Sequence, residues 1–272
     1  MAPPLYKDFG KAANDLLTKD FPSGHKVQLE SKASNGVTFV TSVSSGKDGK
    51  IDGTFEDKYR YDPRGVNFTG KFDVGKQQFT TEVSVDSLLD GLKLTVNGEA
   101  DLEKIKGSFE YGADKFNVTG AFQQKDLNAS AVFSYEKFLF GGALKYTFDG
   151  GNLNWGAGLS YKGEDFNGTF RLEDEGQKAS ANYNHKVNDD FDVAVQLDVT
   201  LQSMSPELSL ASAYKFDSDS TAKAKLDTEG KFGISYKQKL NSHVTLTLGS
   251  KIDLNGLNAA GHSHGFQLNI NA

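Results

Sequence analysis

Cysteine is absent from the 272 residues, and proline occurs only five times. Without thiols the chain forms neither disulfides nor thiolate-ligated metal sites. No stretch approaches the run of about 18 apolar residues that a membrane-spanning helix requires. The net charge is −6, and the basic residues are dispersed along the chain. We therefore expect no nucleic acid as a specific ligand.

Apolar and polar residues alternate along almost the whole chain. Residues 66–73 show the pattern, because Val66, Phe68 and Phe72 are separated by polar residues. A β-strand sends successive side chains to opposite faces, so this segment has one apolar and one polar face. About nineteen segments of about 8 to 12 residues repeat the pattern, and polar turns such as 62–65 and 90–91 separate them. Short turns of this kind predict antiparallel neighbours.

A closed barrel fits this pattern better than a sandwich. A sandwich has sheet edges and must bring two apolar faces together. Here the face opposite the apolar one carries many charges, and a dry interior would not tolerate them. We predict an all-β membrane barrel of about 19 mostly antiparallel strands, with hydrocarbon outside and water inside. A soluble β-protein that binds a small ligand is the alternative from a different class.

Helical periodicity is confined to residues 5 to about 20. Leu5, Phe9, Ala13, Leu16 and Leu17 form the apolar stripe of an amphipathic helix, which would pack on a core or lie on a lipid surface. The segment 21–24 then breaks the helix. We expect an N-terminal helix and linker at 1–24 and a transmembrane barrel at 25–272. The first residues do not have the basic and apolar regions of a secretory signal peptide, so we expect none.

With the apolar face outward, basic residues outnumber acidic ones on the inner face. A wet, mildly basic lumen would concentrate phosphate-bearing anions without binding them tightly. The candidates for lining the pore are Lys58, Arg60, Lys71, Lys93, Lys104, Lys106, Lys215, Lys223, Lys225 and Lys237.

No group of residues indicates catalysis, so we do not expect an enzyme and propose no catalytic residues. His262 and His264 would share a strand face, but no third ligand follows nearby, and a zinc site needs at least three protein ligands. We expect no metal and no cofactor.

Several short stretches carry a family resemblance when they are taken in order. They are Pro3-Pro4-Leu5-Tyr6-Lys7-Asp8-Phe9-Gly10-Lys11, Lys58-Tyr59-Arg60-Tyr61, Gly91-Leu92-Lys93 and Ala260-Gly261-His262. Together they span the chain, and the sequence resembles the mitochondrial porins, the voltage-dependent anion channels (VDAC).

The resemblance implies 19 strands whose first and last members pair in parallel, with the helix inside the lumen. It implies a voltage-gated, weakly anion-selective channel, integral to the outer mitochondrial membrane. ATP, ADP, phosphate, carboxylates and small ions would permeate, lipids would surround the barrel, and self-association is a family property. Lys11, Lys19 and Lys93 match basic positions on the family's nucleotide path. The pore subunit of the outer-membrane protein translocase is the first alternative, ahead of the soluble β-protein, although a lumen lined mainly by lysine suits it less well.

The sequence departs from the family pattern at three places. Asn14 stands where an arginine is common in the helix, so we expect the anion preference to be weak. Pro22 stands in the linker, which is rich in glycine in the family, and it should stiffen the hinge. Gly70 stands where animal members carry a lipid-facing glutamate. Asp57 falls on the apolar face of the preceding strand, and symmetric pairing about the turn at 62–65 would set it opposite Gly70. Asp57 is therefore our candidate for a lipid-facing acid, and the alternative is a bulge or a shift of register that turns Asp57 towards water.

Overall fold

The computed structural model describes residues 2–46, 49–99, 104–256 and 261–272, and within these it shows a closed barrel of nineteen strands. The strands are 8 to 11 residues long. They are β1 His25–Lys32, β2 Thr38–Ser45, β3 Ile51–Tyr61, β4 Val66–Asp73, β5 Gln78–Val85, β6 Leu92–Glu99, β7 Lys106–Ala113, β8 Phe116–Gln123, β9 Asp126–Tyr135, β10 Phe138–Thr147, β11 Asn152–Lys162, β12 Phe166–Glu173, β13 Lys178–Lys186, β14 Phe191–Thr200, β15 Ser205–Lys215, β16 Ser220–Asp227, β17 Lys231–Lys239, β18 Val244–Asp253 and β19 Ser263–Asn271.

Each strand pairs antiparallel with the next along the chain, and β19 closes the barrel on β1 in parallel. The parallel closure follows from the odd count, because strands that alternate in direction leave the first and nineteenth pointing the same way. The predicted barrel, its strand number and its parallel closure are confirmed. Ala260, part of one of the family stretches, lies outside the described residues.

The alternating pattern divides the barrel into an outer and an inner face. Cross-strand pairs such as Phe55 with Phe72 and Phe72 with Phe79 lie on the outer face. Phe55 is 54% exposed. So much exposed aromatic surface would be a severe liability in water, but it is what a hydrocarbon solvent requires. Serine, threonine, asparagine and charged side chains alternate with these residues and point inward.

The N-terminal segment is helical in two pieces. A 3-10 turn spans Tyr6–Asp8, and an α-helix, α1, spans Lys11–Thr18. The structure thus confirms an N-terminal helix but divides the helical pattern predicted over residues 5 to about 20 into two pieces. Gly10 interrupts it with φ of 72° in the left-handed region, and a side chain there would collide with Asn182. Among the described helices, none has the length and apolar character to cross a membrane.

Candidate functional site

The N-terminal segment follows the inner wall through much of its circumference. Its contacts begin at β7 and β8, where Ala2 lies beside Gly112 and the Pro3 carbonyl accepts a hydrogen bond from Asn117. They end at β19, where the Gly24 carbonyl accepts a hydrogen bond from the Phe266 amide. We call β7–β19 the covered wall and β1–β6 the free wall. The open lumen lies between the free wall and the exposed face of the segment.

The first anchor of the segment is aromatic. Tyr6 and Phe9 form a buried cluster with Val132 of β9. Their rings approach a part of β10 that carries no side chain, since a Cβ on Gly141 would lie 2.7 Å from Tyr6 and 3.0 Å from Phe9. Glycine at this position therefore makes room for the two rings.

The middle of the segment is anchored through small side chains. α1 packs against β13, β14 and β15, where the buried inward residues include Ala194, Ala211 and Ala213. Ala13 and Leu17, 2% and 6% exposed, form the buried side of α1. Alanine on the wall allows a close approach, so the apolar stripe predicted from the sequence is the face that docks.

The last anchor is electrostatic. The Asp20 carboxylate accepts hydrogen bonds from Lys223 of β16 at 2.7 Å and Lys237 of β17 at 3.4 Å. Lys225 of β16 donates to the Leu17 carbonyl at 2.7 Å and lies 4.8 Å from the centre of the Phe21 ring. Burial raises the pKa of Asp20, but the hydrogen bond and charge of Lys223, with Lys237, outweigh burial and hold this pKa below its usual range.

Charge is distributed unevenly between the two walls. The inward positions of the described free wall carry six basic and six acidic side chains: Lys26, Lys32, Lys58, Arg60, Lys71 and Lys93, against Glu30, Asp52, Glu56, Asp73, Glu82 and Glu99.

The described covered wall carries thirteen basic and eight acidic ones: Lys106, Lys145, Lys162, Arg171, Lys178, Lys186, Lys215, Lys223, Lys225, Lys231, Lys237, Lys239 and Lys251, against Glu110, Asp126, Glu173, Asp192, Asp198, Glu207, Asp227 and Asp253. The basic excess therefore lies on the wall along which the segment runs.

Two of the predicted lysines line the largest described cavity. Lys93 of β6 and Lys106 of β7 border a space of about 770 Å³ between the wall and the beginning of the segment. Lys7, Lys145 and Lys178 border it as well. Acidic side chains lie among these lysines, since Glu110 is the register partner of Lys93 across β6 and β7.

Lys11, the first residue of α1, and Lys19, which follows its last residue, form ion pairs within the N-terminal segment. Lys11 pairs with Asp8 at 3.1 Å, and Lys19 pairs with Asp15 at 2.8 Å. Both lysine side chains remain more than half exposed, so they also face the open lumen.

On the free wall, Lys58 pairs with Glu56 at 3.0 Å, and Lys71 stands opposite Glu56 across β3 and β4. Arg60 lies at the end of β3 and donates to Asp86 at 2.8 Å and Asp62 at 2.7 Å. The hydrogen bond from Arg60 holds the pKa of Asp86, which lies between β5 and β6, below its usual range.

The remaining candidates have partners that the sequence did not reveal. Lys104 precedes β7 and pairs with Glu99 at 2.8 Å. Lys215 ends β15 and donates to the Asp189 carbonyl at 3.4 Å. Lys223, Lys225 and Lys237 contact the N-terminal segment, as described above. These last three were predicted only from the alternation of apolar and polar residues. That pattern shows which face of a strand a residue lies on, but not whether another segment covers that face.

Asp57 occupies the outer face of β3, directly opposite Gly70 of β4, as the symmetric turn predicted. Its lipid-facing role stays a prediction. Within the described residues, no group of three histidine, aspartate or glutamate side chains is arranged to hold a metal ion.

A wide barrel with an apolar exterior and a charged interior defines a porin, a protein whose lumen conducts solutes through a membrane. The sequence profile of the family described as Eukaryotic porin matches residues 2–265. The chain belongs to the eukaryotic porin family.

Curated relatives match along their whole length. The chain is 31% identical to a Voltage-dependent anion-selective channel of Drosophila melanogaster, covering 100% of both chains. It is 34% identical to the Non-selective voltage-gated ion channel VDAC2 of Meleagris gallopavo and 33% identical to that of Homo sapiens, in each case over 99% of this chain and 95% of the relative. Among solved structures, a variant of the Rh. blastica porin superposes with a TM-score of 0.50 at 9% identity, covering 86% of this chain and 90% of that chain. That likeness concerns the fold alone.

Proposed function

We propose that the chain is a voltage-gated, weakly anion-selective channel through which ATP, ADP, phosphate, carboxylates and small ions diffuse across the outer mitochondrial membrane. The broader part of this statement follows from the family. A eukaryotic porin with full-length similarity to voltage-dependent channels is an integral channel of that membrane rather than an enzyme. The permeants and the site residues are the finer part of the proposal.

The observation that carries the proposal is the charge of the lumen. The inner wall has a basic excess, whereas the whole chain carries a net charge of −6. Counter-ion concentration in a pore responds to the charges that line it, not to the charge of the whole chain. The free wall is balanced, so the preference for anions is expected to be weak.

The cavity beside the beginning of the segment supports phosphate-bearing permeants. Lys7, Lys93 and Lys106 converge there from three elements, while Glu110 stands across from Lys93. The acidic side chains among these lysines weaken the binding of anions. This suits a channel, because a permeant has to leave the cavity as readily as it enters. In this proposal residues 1–24 narrow the lumen, residues 25–272 form the wall, lipids surround it, and further copies of the chain associate with it.

Planar-bilayer recording tests the proposal. Reconstituted channels should show a high-conductance open state that closes partially at both voltage signs. The reversal potential in a chloride gradient should have the sign of a modest anion preference, and an ATP gradient alone should drive a measurable current. A channel that is cation-selective in chloride and passes no ATP would contradict the proposal.

A further inference from the structure

We infer that Asp20 is a positioning and selectivity-determining residue: it fastens the linker to the covered wall and withdraws Lys223 and Lys237 from the ion path. The two lysines were expected to face permeating anions. In the structure both ammonium groups turn towards one carboxylate instead.

The contact is partly shielded from water. The side chains of Lys223 and Asp20 are 14% and 25% exposed, and that of Lys237 is 45% exposed. An ion pair at this depth is screened less by salt than a pair on an open surface. Lys223 also lies 3.4 Å from the Lys19 carbonyl, so it holds the backbone before Asp20 as well as the side chain.

The backbone at Asp20 supports a specific role for its carboxylate. Its φ of 69° lies in the left-handed region, which glycine adopts most easily and which aspartate tolerates better than most residues. Geometry alone would therefore favour glycine here. The carboxylate has a function that glycine would lack, namely the two bonds to the wall.

The wall next to this ion pair is shaped for the linker. Gly249 and Gly265 face each other across β18 and β19. A Cβ on Gly249 would lie 2.6 Å from the Pro22 ring, and one on Gly265 would lie 2.6 Å from the Gly24 nitrogen. The linker thus packs closely against the backbone at Gly249 and Gly265, a surface that we call the linker track. The ring of Pro22 also fixes one backbone dihedral of the linker. Asp20 is placed where α1 ends and this track begins.

Selectivity follows from the same contact. With Asp20 ionised, the three groups contribute one net positive charge, and the carboxylate holds both ammonium groups against the wall. If the carboxylate is removed, two positive charges are released towards the lumen together. A carboxylate elsewhere on the segment should have a smaller effect, because its loss frees only its local partner.

The experiment uses the full-length channel and a thiol reporter. Because the chain has no cysteine, Ala13→Cys is a unique label at a position that is 2% exposed. The reporter is combined with Asp20→Asn, with Asp20→Gly, and with the matched control Asp15→Asn. Asp15→Asn also removes one negative charge, but the partner of Asp15 is Lys19 of the same N-terminal segment. A charged thiol reagent is applied to channels in vesicles, and reversal potentials are recorded in a potassium chloride gradient.

We expect modification of the reporter to be about tenfold faster with either Asp20 variant, the factor that a loss of about 1.4 kcal/mol of docking free energy gives. The control should react at the parent rate. The reversal potential should move towards anion preference by more in Asp20→Asn than in Asp15→Asn.

Equal labelling of Asp20→Asn and Asp15→Asn would overturn the positioning role, and equal reversal potentials would overturn the selectivity role. Leu17→Cys, at a position 6% exposed, replaces the first reporter if Ala13→Cys is already reactive with Asp20 present. The selectivity role rests on the proposed function, whereas labelling needs no conductance, so the two failures are distinguishable.

Discussion

The Asp57 carboxylate lies directly over Gly70 on the outer face of the barrel. The two residues are register partners across β3 and β4, and Oδ1 of Asp57 lies 2.6 Å from where a Cβ on Gly70 would stand. On the same face Phe39 faces Asp57 from β2. The carboxylate thus occupies the space left by a glycine on the outer face of the barrel, beside Phe39.

Replacing Asp57 with leucine should stabilise the barrel in a bilayer. An acidic group on the lipid face costs free energy, so Asp57→Leu should raise the free energy of unfolding by about 1–2 kcal/mol. Denaturant unfolding in lipid vesicles measures this. The adjacent inward residue provides the control, because Glu56→Gln also removes one negative charge but faces water. A stability gain in Glu56→Gln as large as that in Asp57→Leu would mean that Asp57 is not in contact with hydrocarbon.

Charge reversal at the lumen should change ion preference. Lys93→Glu removes a positive charge and adds a negative one beside the 770 Å³ cavity, so the reversal potential in a salt gradient should move towards cation preference. Lys19→Glu, directly after α1, should act in the same direction. Lys137→Glu, in the turn between β9 and β10, makes the same change outside the lumen. If all three variants give one reversal potential, Lys93 and Lys19 do not face the ion path.

A methyl group in the linker track should displace the linker. Gly265→Ala would place a Cβ 2.9 Å from the Pro22 carbonyl carbon, and overpacking of this kind costs about 1–3 kcal/mol. We expect trypsin to cut faster after Lys11 and Lys19 in this variant. Gly107→Ala is the matched control, since that outward position has nothing within 4 Å of a new Cβ. Equal cleavage rates in the two variants would show that the track does not hold the linker.

The stabilisation that Asp20 provides should disappear in acid. Because its pKa is lowered in the folded channel, the stabilisation is present above the unfolded carboxyl pKa of about 3.9 and is lost as the pH falls through the folded value. The basic groups that face this part of the segment are Lys223, Lys225 and Lys237. Asp20→Asn should therefore be less stable than the parent by about 1–2 kcal/mol at neutral pH. Unfolding in detergent between pH 7 and pH 2 should show this gap closing below about pH 4; a gap that is constant with pH would refute the assignment.

The barrel could be predicted from the sequence because the patterns that specify it involve residues that are close together in the chain. Alternation assigns a face to each residue, and a symmetric turn sets the register, as it did for Asp57 and Gly70. Both signals lie within one hairpin.

The course of the N-terminal segment could not be predicted in the same way. Its anchors join residues about two hundred positions apart, such as Asp20 and Lys223, and they depend on glycines that meet only after the barrel has closed. Gly141 and Gly265 look like ordinary strand glycines in the sequence. The break at Gly10 likewise depends on Asn182, which no local pattern reveals.

The parallel seam between β1 and β19 has a consequence for assembly. His25 meets Phe266 there, so the contact that completes the cylinder joins parts of the chain made first and last. Until β19 is available, β1 has an unsatisfied hydrogen-bonding edge, which hydrocarbon does not tolerate. A sheet of this topology can therefore satisfy all its backbone groups within a bilayer only after β19 has paired with β1.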